Sequence, residues 1–209
     1  MKKIIPIINL AIKFAAVNRT VGYRDGHFEN DAEHSYQLAL VCWSVNEQYQ
    51  LGLRDELLLK FALVHDLVEV YTGDVDAYDN PQQIADKQAN EERAFAKLKT
   101  EYTQFADMLK TIERYETKKD MEAQLVFVMD KFLVDANIYH SKGSYYRSRK
   151  ISIDVWKKWL LNKINYKTLN PRLKPLVDES INEIEINFSE IFYKTAHRSK
   201  PNHKGNSHS

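Results

Sequence analysis

A chain of 209 residues with 6 Gly and 5 Pro, and with 30 Lys and Arg against 29 Asp and Glu, is long enough for one buried core. That balance excludes a turn-rich sheet protein, a low-complexity half and a net field able to draw the molecule onto nucleic acid or a membrane surface. Cys42 is the one cysteine, which excludes an internal disulfide and leads us to expect a cytoplasmic, all-α protein.

The opening Met1-Lys2-Lys3 and the apolar run to Ile12 imitate a short secretory leader. Pro6 and Asn9 interrupt that run, and Ile8, Ala11, Ile12 and Ala15 share one helix face. It is therefore read as a helix from about Ile4 to Val17, too short to cross a bilayer. A polar loop is expected from Asn18 to Asn30, where turn formers are dense. Asn30 or Asp31 can cap a second helix to about Tyr49, ended by Gly52. A third helix is expected from Asp55 to Tyr71, closed by Gly73. Pro81 suits the first position of a fourth, Gln82 to Thr100, and a short helix follows from Tyr102 to Arg114.

Thr117 or Asp120 can start a helix containing Met121 to Tyr139, and two more are expected, Ser152 to Asn165 and Pro171 to Tyr193. Between Arg147 and Pro175 basic residues mix with Trp156, Trp159 and Tyr166, a pattern that can contact nucleic acid. The favoured reading is a solvated face over a packed Trp pair, because Ile151, Val155, Trp159 and Leu160 have helical spacing. Residues 194–209 lack apolar periodicity and are expected to be a disordered tail, and their His197, His203 and His208 sit in no fixed ligand geometry. One domain is therefore expected over residues 1–193.

Ionisable residues occupy places where the helical register calls for apolar ones. The third helix runs Leu58, Phe61, Ala62 and then His65 and Glu69, with Asp66 beside them. His34 precedes Leu38, Val41 and Val45, and Asp130 interrupts the series from Val126 to Leu133. Unpaired burial would cost about 1 to 3 kcal/mol per group even on the milder scales, and the carboxylates would repel one another. A divalent cation resolves both problems. Two imidazoles and two carboxylates suit Mn²⁺, Fe²⁺, Co²⁺ or Zn²⁺, with Mg²⁺ also compatible, and leave open positions for water and substrate.

The segments Glu33-His34-Ser35, Ala62-Leu63-Val64-His65-Asp66-Leu67-Val68-Glu69-Val70-Tyr71-Thr72-Gly73-Asp74 and Val128-Met129-Asp130-Lys131 resemble the HD-domain superfamily of metal-dependent phosphohydrolases. Within it they are similar to the bacterial 5′-deoxynucleotidase branch over about residues 10 to 140. The resemblance implies a helical bundle with His34, His65, Asp66 and Asp130 as metal ligands and Glu69 and Asp74 as the acidic catalytic positions. It also places Arg19 as the phosphate clamp, although the family commonly has a tryptophan close to that arginine and here the loop continues Thr20-Val21-Gly22-Tyr23. Val70 departs from the H-D-x-x-E-D pattern of guanosine tetraphosphate hydrolases. His27 reads as a loop residue and His140 as a helix end, so one metal is expected rather than two.

The activity so implied is removal of phosphate from deoxyribonucleoside 5′-monophosphates. Glu69 would protonate the leaving 5′-oxygen, and Asp74 would orient the water or the sugar. The alternatives are a triphosphohydrolase releasing tripolyphosphate and a non-catalytic module that binds a nucleotide or a partner. Family members often dimerise, and the Trp-containing C-terminal helices offer an apolar contact for it.

Overall fold

Apolar residues at three- and four-residue spacing fold most of the chain into helices. The computed structural model describes residues 4–22, 26–76, 78 and 81–194, without the side chains of 81 and 83–85. Its helices are α1 (Ile5–Phe14), α2 (Asp31–Gln48), α3 (Asp55–Val64), α4 (Glu69–Thr72), α5 (Pro81–Glu101) and α6 (Ala106–Glu116). They continue with α7 (Met121–His140), α8 (Ser144–Ser148), α9 (Ile153–Lys163) and α10 (Lys174–Asn187). Short 3₁₀ turns at Pro171–Leu173 and Ser189–Ile191 flank α10. The all-α expectation is met, and no helix among the described residues is long and apolar enough to cross a membrane.

Local chemistry sets the boundaries that matter for function. Asn30 caps α2 by accepting from the amides of Ala32 and Glu33, while Glu33 Oε2 accepts from the Asn30 amide at 3.1 Å. This reciprocal capping box satisfies orphan donors at both ends of one turn and fixes where α2 begins. It therefore fixes the height of His34 within the bundle. The helix expected from 55 to 71 is broken after Val64, because Leu67 N bonds Val64 O and Glu69 N bonds Asp66 O. These i to i−3 bonds tighten the chain at His65 and Asp66 and end α3 there.

Two apolar clusters flank that turn. The larger packs Leu38 and Cys42 of α2, Leu58 and Phe61 of α3, Leu125 and Met129 of α7 and, beyond them, Trp156, Leu160 and Val177. The smaller gathers Leu10 and Phe14 of α1 with Val64, Leu67, Leu98 and Ile112. The polar turn is thus held from both sides by packing, with little freedom to relax.

Two further expectations are corrected. The loop expected from 18 to 30 contains an antiparallel hairpin, β1 (Asn18–Gly22) and β2 (Phe28–Asn30), with Asn18 opposite Asn30 and Gly22 opposite Phe28. Backbone pairing across the turn decides this, since neither strand has an alternating apolar pattern. The helix expected from 171 to 193 divides into α10 and its two 3₁₀ turns, and α8 was not signalled at all. The tail, with His197, His203 and His208, falls on residues 195–209 outside the described residues.

Gly143 joins α7 to α8 at φ +68°, and a Cβ there would run into the backbone of Ile191. Left-handed geometry costs a non-glycine residue about 1–2 kcal/mol, and overpacking adds about 1–3. Gly143→Ala is expected to lower the melting temperature by roughly 5–15 °C, read by a thermal scan against the wild type.

Candidate metal centre

His65 stands at the end of α3, where its Nδ1–H donates to the Ala62 carbonyl at 2.9 Å. That bond fixes the tautomer and leaves the Nε2 lone pair facing inward. Nε2 is buried and has no hydrogen-bond partner, although it lies 2.9 Å from Asp66 Oδ2. The two atoms are close without being aligned on each other. Both point at a common region of space, as ligands of a shared cation do.

His34 enters from α2, fully buried. Its Nδ1 contacts Glu29 Oε2 at 3.2 Å, its Nε2 contacts Asp130 Oδ1 at 2.9 Å, and Glu29 Oε1 accepts from Asn137 Nδ2 at 2.8 Å. The rings of His34 and His65 are 5.4 Å apart. His34, His65 and Asp66 each offer a donor atom within 4.8 Å of the others, and Asp31, Asp66 and Glu69 form a second such group. Asp130 of α7 joins through His34. The structure therefore brings together all the residues that the resemblance names as ligands.

Charge follows the same geometry. Burial opposes ionisation of Asp66, yet His65, Arg19 and His34 hold its carboxyl well below the ordinary range. For Asp130 burial is likewise overcome, by Lys131 and His34. Glu69 goes the other way: burial, reinforced by Asp66, Asp74 and Asp31, drives its pKa well above the ordinary carboxylate value despite Lys87 at 3.4 Å. Burial and Asp66 also push Asp31 up to about 7 against the pull of Arg19. Strongly ionised and strongly protonated carboxyls thus stand side by side, a division found where acid and ligand roles are separate.

Arg19 reaches the cluster from β1. Its Nη1 donates to Asp66 Oδ2 at 2.7 Å and Asp31 Oδ1 at 3.1 Å, and its Nε lies 3.5 Å from Glu29 Oε2. Asp74, just past Gly73, accepts from the Thr20 amide at 2.9 Å and so pins β1 against the end of α4. His27 is exposed and bonded to Glu33, and His140 is the exposed end of α7, so neither enters the centre.

Two cavities meet here. One, of about 240 Å³, is lined by Arg19, Glu69 and Asp74 and by the aromatic residues Tyr78, Tyr145 and Trp159. The second, of about 580 Å³, is bounded by His65, Asp130, Tyr115 and Lys118. Asp66, Lys87, Lys131 and Lys163 line both. Of the Trp pair expected to pack under α9, Trp156 is buried and donates to Asp135 at 3.0 Å, whereas Trp159 is only partly buried and faces the first cavity.

Glu29 and Asp31 were missed by sequence reasoning. They flank the capping residue Asn30, Glu29 in a stretch read as loop and Asp31 as a possible helix cap, and in the structure each is fully buried. Lys87 was missed because α5 reads as a charged surface helix.

The residues present fit a divalent cation. His65 Nε2, Asp31 Oδ2 and Glu69 Oε2 are all buried without hydrogen bonds, an arrangement that costs energy unless another group satisfies it. Two imidazole nitrogens and carboxylate oxygens, with Glu29 behind His34 and the Ala62 carbonyl behind His65, have the outer support typical of such sites. Glu29→Gln exchanges a carboxylate for an amide beside His34 Nδ1, releasing the tautomer that aims Nε2 inward. Cation affinity, read by competition with a chelator, is expected to fall by about 10- to 100-fold.

A family model described as an HD domain matches residues 13–168 of this chain. The chain is 23% identical over 134 residues to the Schizosaccharomyces pombe protein "5′-deoxynucleotidase hdd1", a match covering 61% of this chain and 66% of that one. It is 29% identical over 119 residues to the Danio rerio protein "5′-deoxynucleotidase HDDC2", covering 53% and 56% respectively. The chain thus spans slightly under two thirds of the first relative and just over half of the second. The crystal structure of a protein described as "Predicted metal-dependent phosphohydrolase" from Magnetospirillum magnetotacticum MS-1 matches with a TM-score of 0.71 at 21% identity, over 92% of this chain and 96% of that one. A conserved protein from Pyrococcus furiosus matches with a TM-score of 0.52 at 24% identity, over 78% and 99%. At these identities the two structures show a common fold.

Proposed function

The chain belongs to the HD-domain family, and on that premise we propose that it is a metal-dependent phosphohydrolase whose substrates are deoxyribonucleoside 5′-monophosphates. The observation that carries this reading is the convergence of His34, His65, Asp66 and Asp130 at the junction of two cavities, with His65 Nε2 buried and unsatisfied. The substrate class is supported by the two relatives described as 5′-deoxynucleotidases.

His34, His65, Asp66 and Asp130 would hold the cation. When bound, a divalent cation supplies Lewis-acid stabilisation of a phosphoryl oxygen and a water of lowered pKa. Arg19, fixed by Asp31 and Asp66, brings a permanent positive charge to the same wall and orients phosphoryl oxygens for in-line displacement. Glu69 is held protonated by burial and by its acidic neighbours, so it can give its proton to the leaving 5′-oxygen. Asp74 acts one step back: by accepting from the Thr20 amide it keeps β1, and with it Arg19, against the cavity.

A panel of nucleoside mono- and triphosphates with Mn²⁺, Co²⁺ and Mg²⁺ tests the reading through the phosphate species released. Inorganic phosphate from deoxyribonucleoside monophosphates is the expected product. Tripolyphosphate from triphosphates would replace it by a triphosphohydrolase, and nucleotide binding with no turnover on any substrate by a non-catalytic module.

A further inference from the structure

The basic and aromatic residues of α9 are not absorbed by the metal centre, yet two of them face it. Trp159 and Lys163 are four positions apart, so they lie one above the other on one side of the helix, about 6 Å along its axis. Both line the cavity that contains Arg19, Asp66 and Glu69. Trp159 meets Tyr78 with ring centroids 5.3 Å apart at 38°, forming an apolar wall, and the Tyr78 hydroxyl is buried there without a hydrogen bond.

Lys163 lines the same cavity, as do Lys87 of α5 and Lys131 of α7. Lys87 lies near Glu69 and Glu91, and Lys131 contacts Asp130. For Lys163 no carboxylate comes within ion-pair distance among the described residues. Burial and the like charges of Lys131 and Lys87 hold its ammonium below the ordinary lysine value. Three ammonium groups crowded beside a cation site repel one another, and an anion bridging them would relieve that repulsion. An aromatic wall one helical turn from an anion site matches the two ends of a nucleotide.

We propose that α9 is the substrate-gripping wall of this site: Lys163, with Lys87 and Lys131, holds the phosphate, and Trp159, with Tyr78, packs on the nucleobase. The assignment rests on the nucleotide reading above and adds to it the residues that recognise each half of the substrate. Arg19, Lys87 and Lys131 are each engaged by carboxylates, so Lys163, with no ion-pair partner among the described residues, supplies the positive charge that those carboxylates offset.

Equilibrium titrations of the full chain with inorganic phosphate, and separately with a deoxyribonucleoside lacking phosphate, read the two halves without turnover. A failure of hydrolysis in the substrate panel therefore leaves this measurement intact. Lys163→Gln is expected to weaken phosphate binding by about tenfold or more, as for a lost charge-assisted hydrogen bond, and to leave the nucleoside titration unchanged. Lys158→Gln removes the same charge from the exposed side of α9 and should leave phosphate binding as it was. Trp159→Leu is expected to weaken nucleoside binding by about 5- to 100-fold, the scale of one lost base–aromatic stack. Trp159→Phe keeps a smaller ring in case the Leu variant fails to fold, and a lesser loss is expected. A Lys163→Gln effect no larger than that of Lys158→Gln, or unaltered nucleoside affinity in a folded Trp159 variant, overturns the assignment.

Discussion

Asp66→Asn is expected to abolish the thermal stabilisation that a divalent cation gives the wild type and to lower phosphate release by about 10³-fold or more. The first effect follows from mass action: at a cation concentration of a hundred times Kd, binding adds about 2.7 kcal/mol to the folded state. For a chain of this length that is a melting increase of roughly 5–11 °C. Asp66 belongs to both groups of convergent donors, with His34 and His65 and with Asp31 and Glu69, so no other single carboxylate removes as much of the site. The second effect is the several kcal/mol of phosphoryl charge stabilisation that goes with the cation.

In metal-free protein the same change should also be destabilising, because His65, Arg19 and His34 hold the Asp66 carboxyl well below the ordinary range and the amide forfeits that stabilisation of the folded state at neutral pH. The loss includes the charged contact of Arg19 Nη1 at 2.7 Å and is present whether or not a cation is added. Thermal scans with and without a chelator separate the two terms. An undiminished cation-dependent shift in the Asn variant would remove Asp66 from the ligand set.

The residues proposed as ligands were legible because each stands in a helical apolar register. His65 and Glu69 follow Leu58, Phe61 and Ala62, and Asp130 sits within the buried series of α7, so burial could be inferred from periodicity alone. What periodicity cannot show is the break in the helix at His65. Its signal is the i to i−3 bonding of Leu67 and Glu69, a backbone choice that the apolar spacing does not encode. Glu29 and Asp31 were illegible for a different reason: their burial depends on β1 and β2 pairing, a contact between segments whose sequences show no strand alternation. The lysines depend on tertiary placement alone. Lys87 and Lys163 lie on helices far apart in sequence, and each reads as a solvated charge until α5, α7 and α9 close around the cavity.

Glu69→Gln is expected to cost about 10²- to 10⁴-fold in turnover, the range for a lost general acid, while making the metal-free protein more stable at neutral and alkaline pH. Both effects have one cause. Glu69 is 3% exposed with Oε2 unsatisfied, and burial together with Asp66, Asp74 and Asp31 raises its folded pKa well above that of the unfolded chain. A group with a raised folded pKa binds its proton more tightly when folded. Its contribution to stability is complete below the unfolded value of about 4.3 and is lost as pH rises from there through the folded pKa. Gln has no proton to lose. The melting temperatures of wild type and variant should therefore separate progressively as pH is raised, with the variant higher. In turnover the order is reversed, because the wild type loses its proton donor, and hence rate, on that same alkaline limb, whereas the variant is slow throughout and lacks the limb. A Gln variant that keeps wild-type turnover, or keeps the alkaline fall in rate, would assign the proton to another group; parallel melting curves would mean that Glu69 is ionised at little cost in the folded protein.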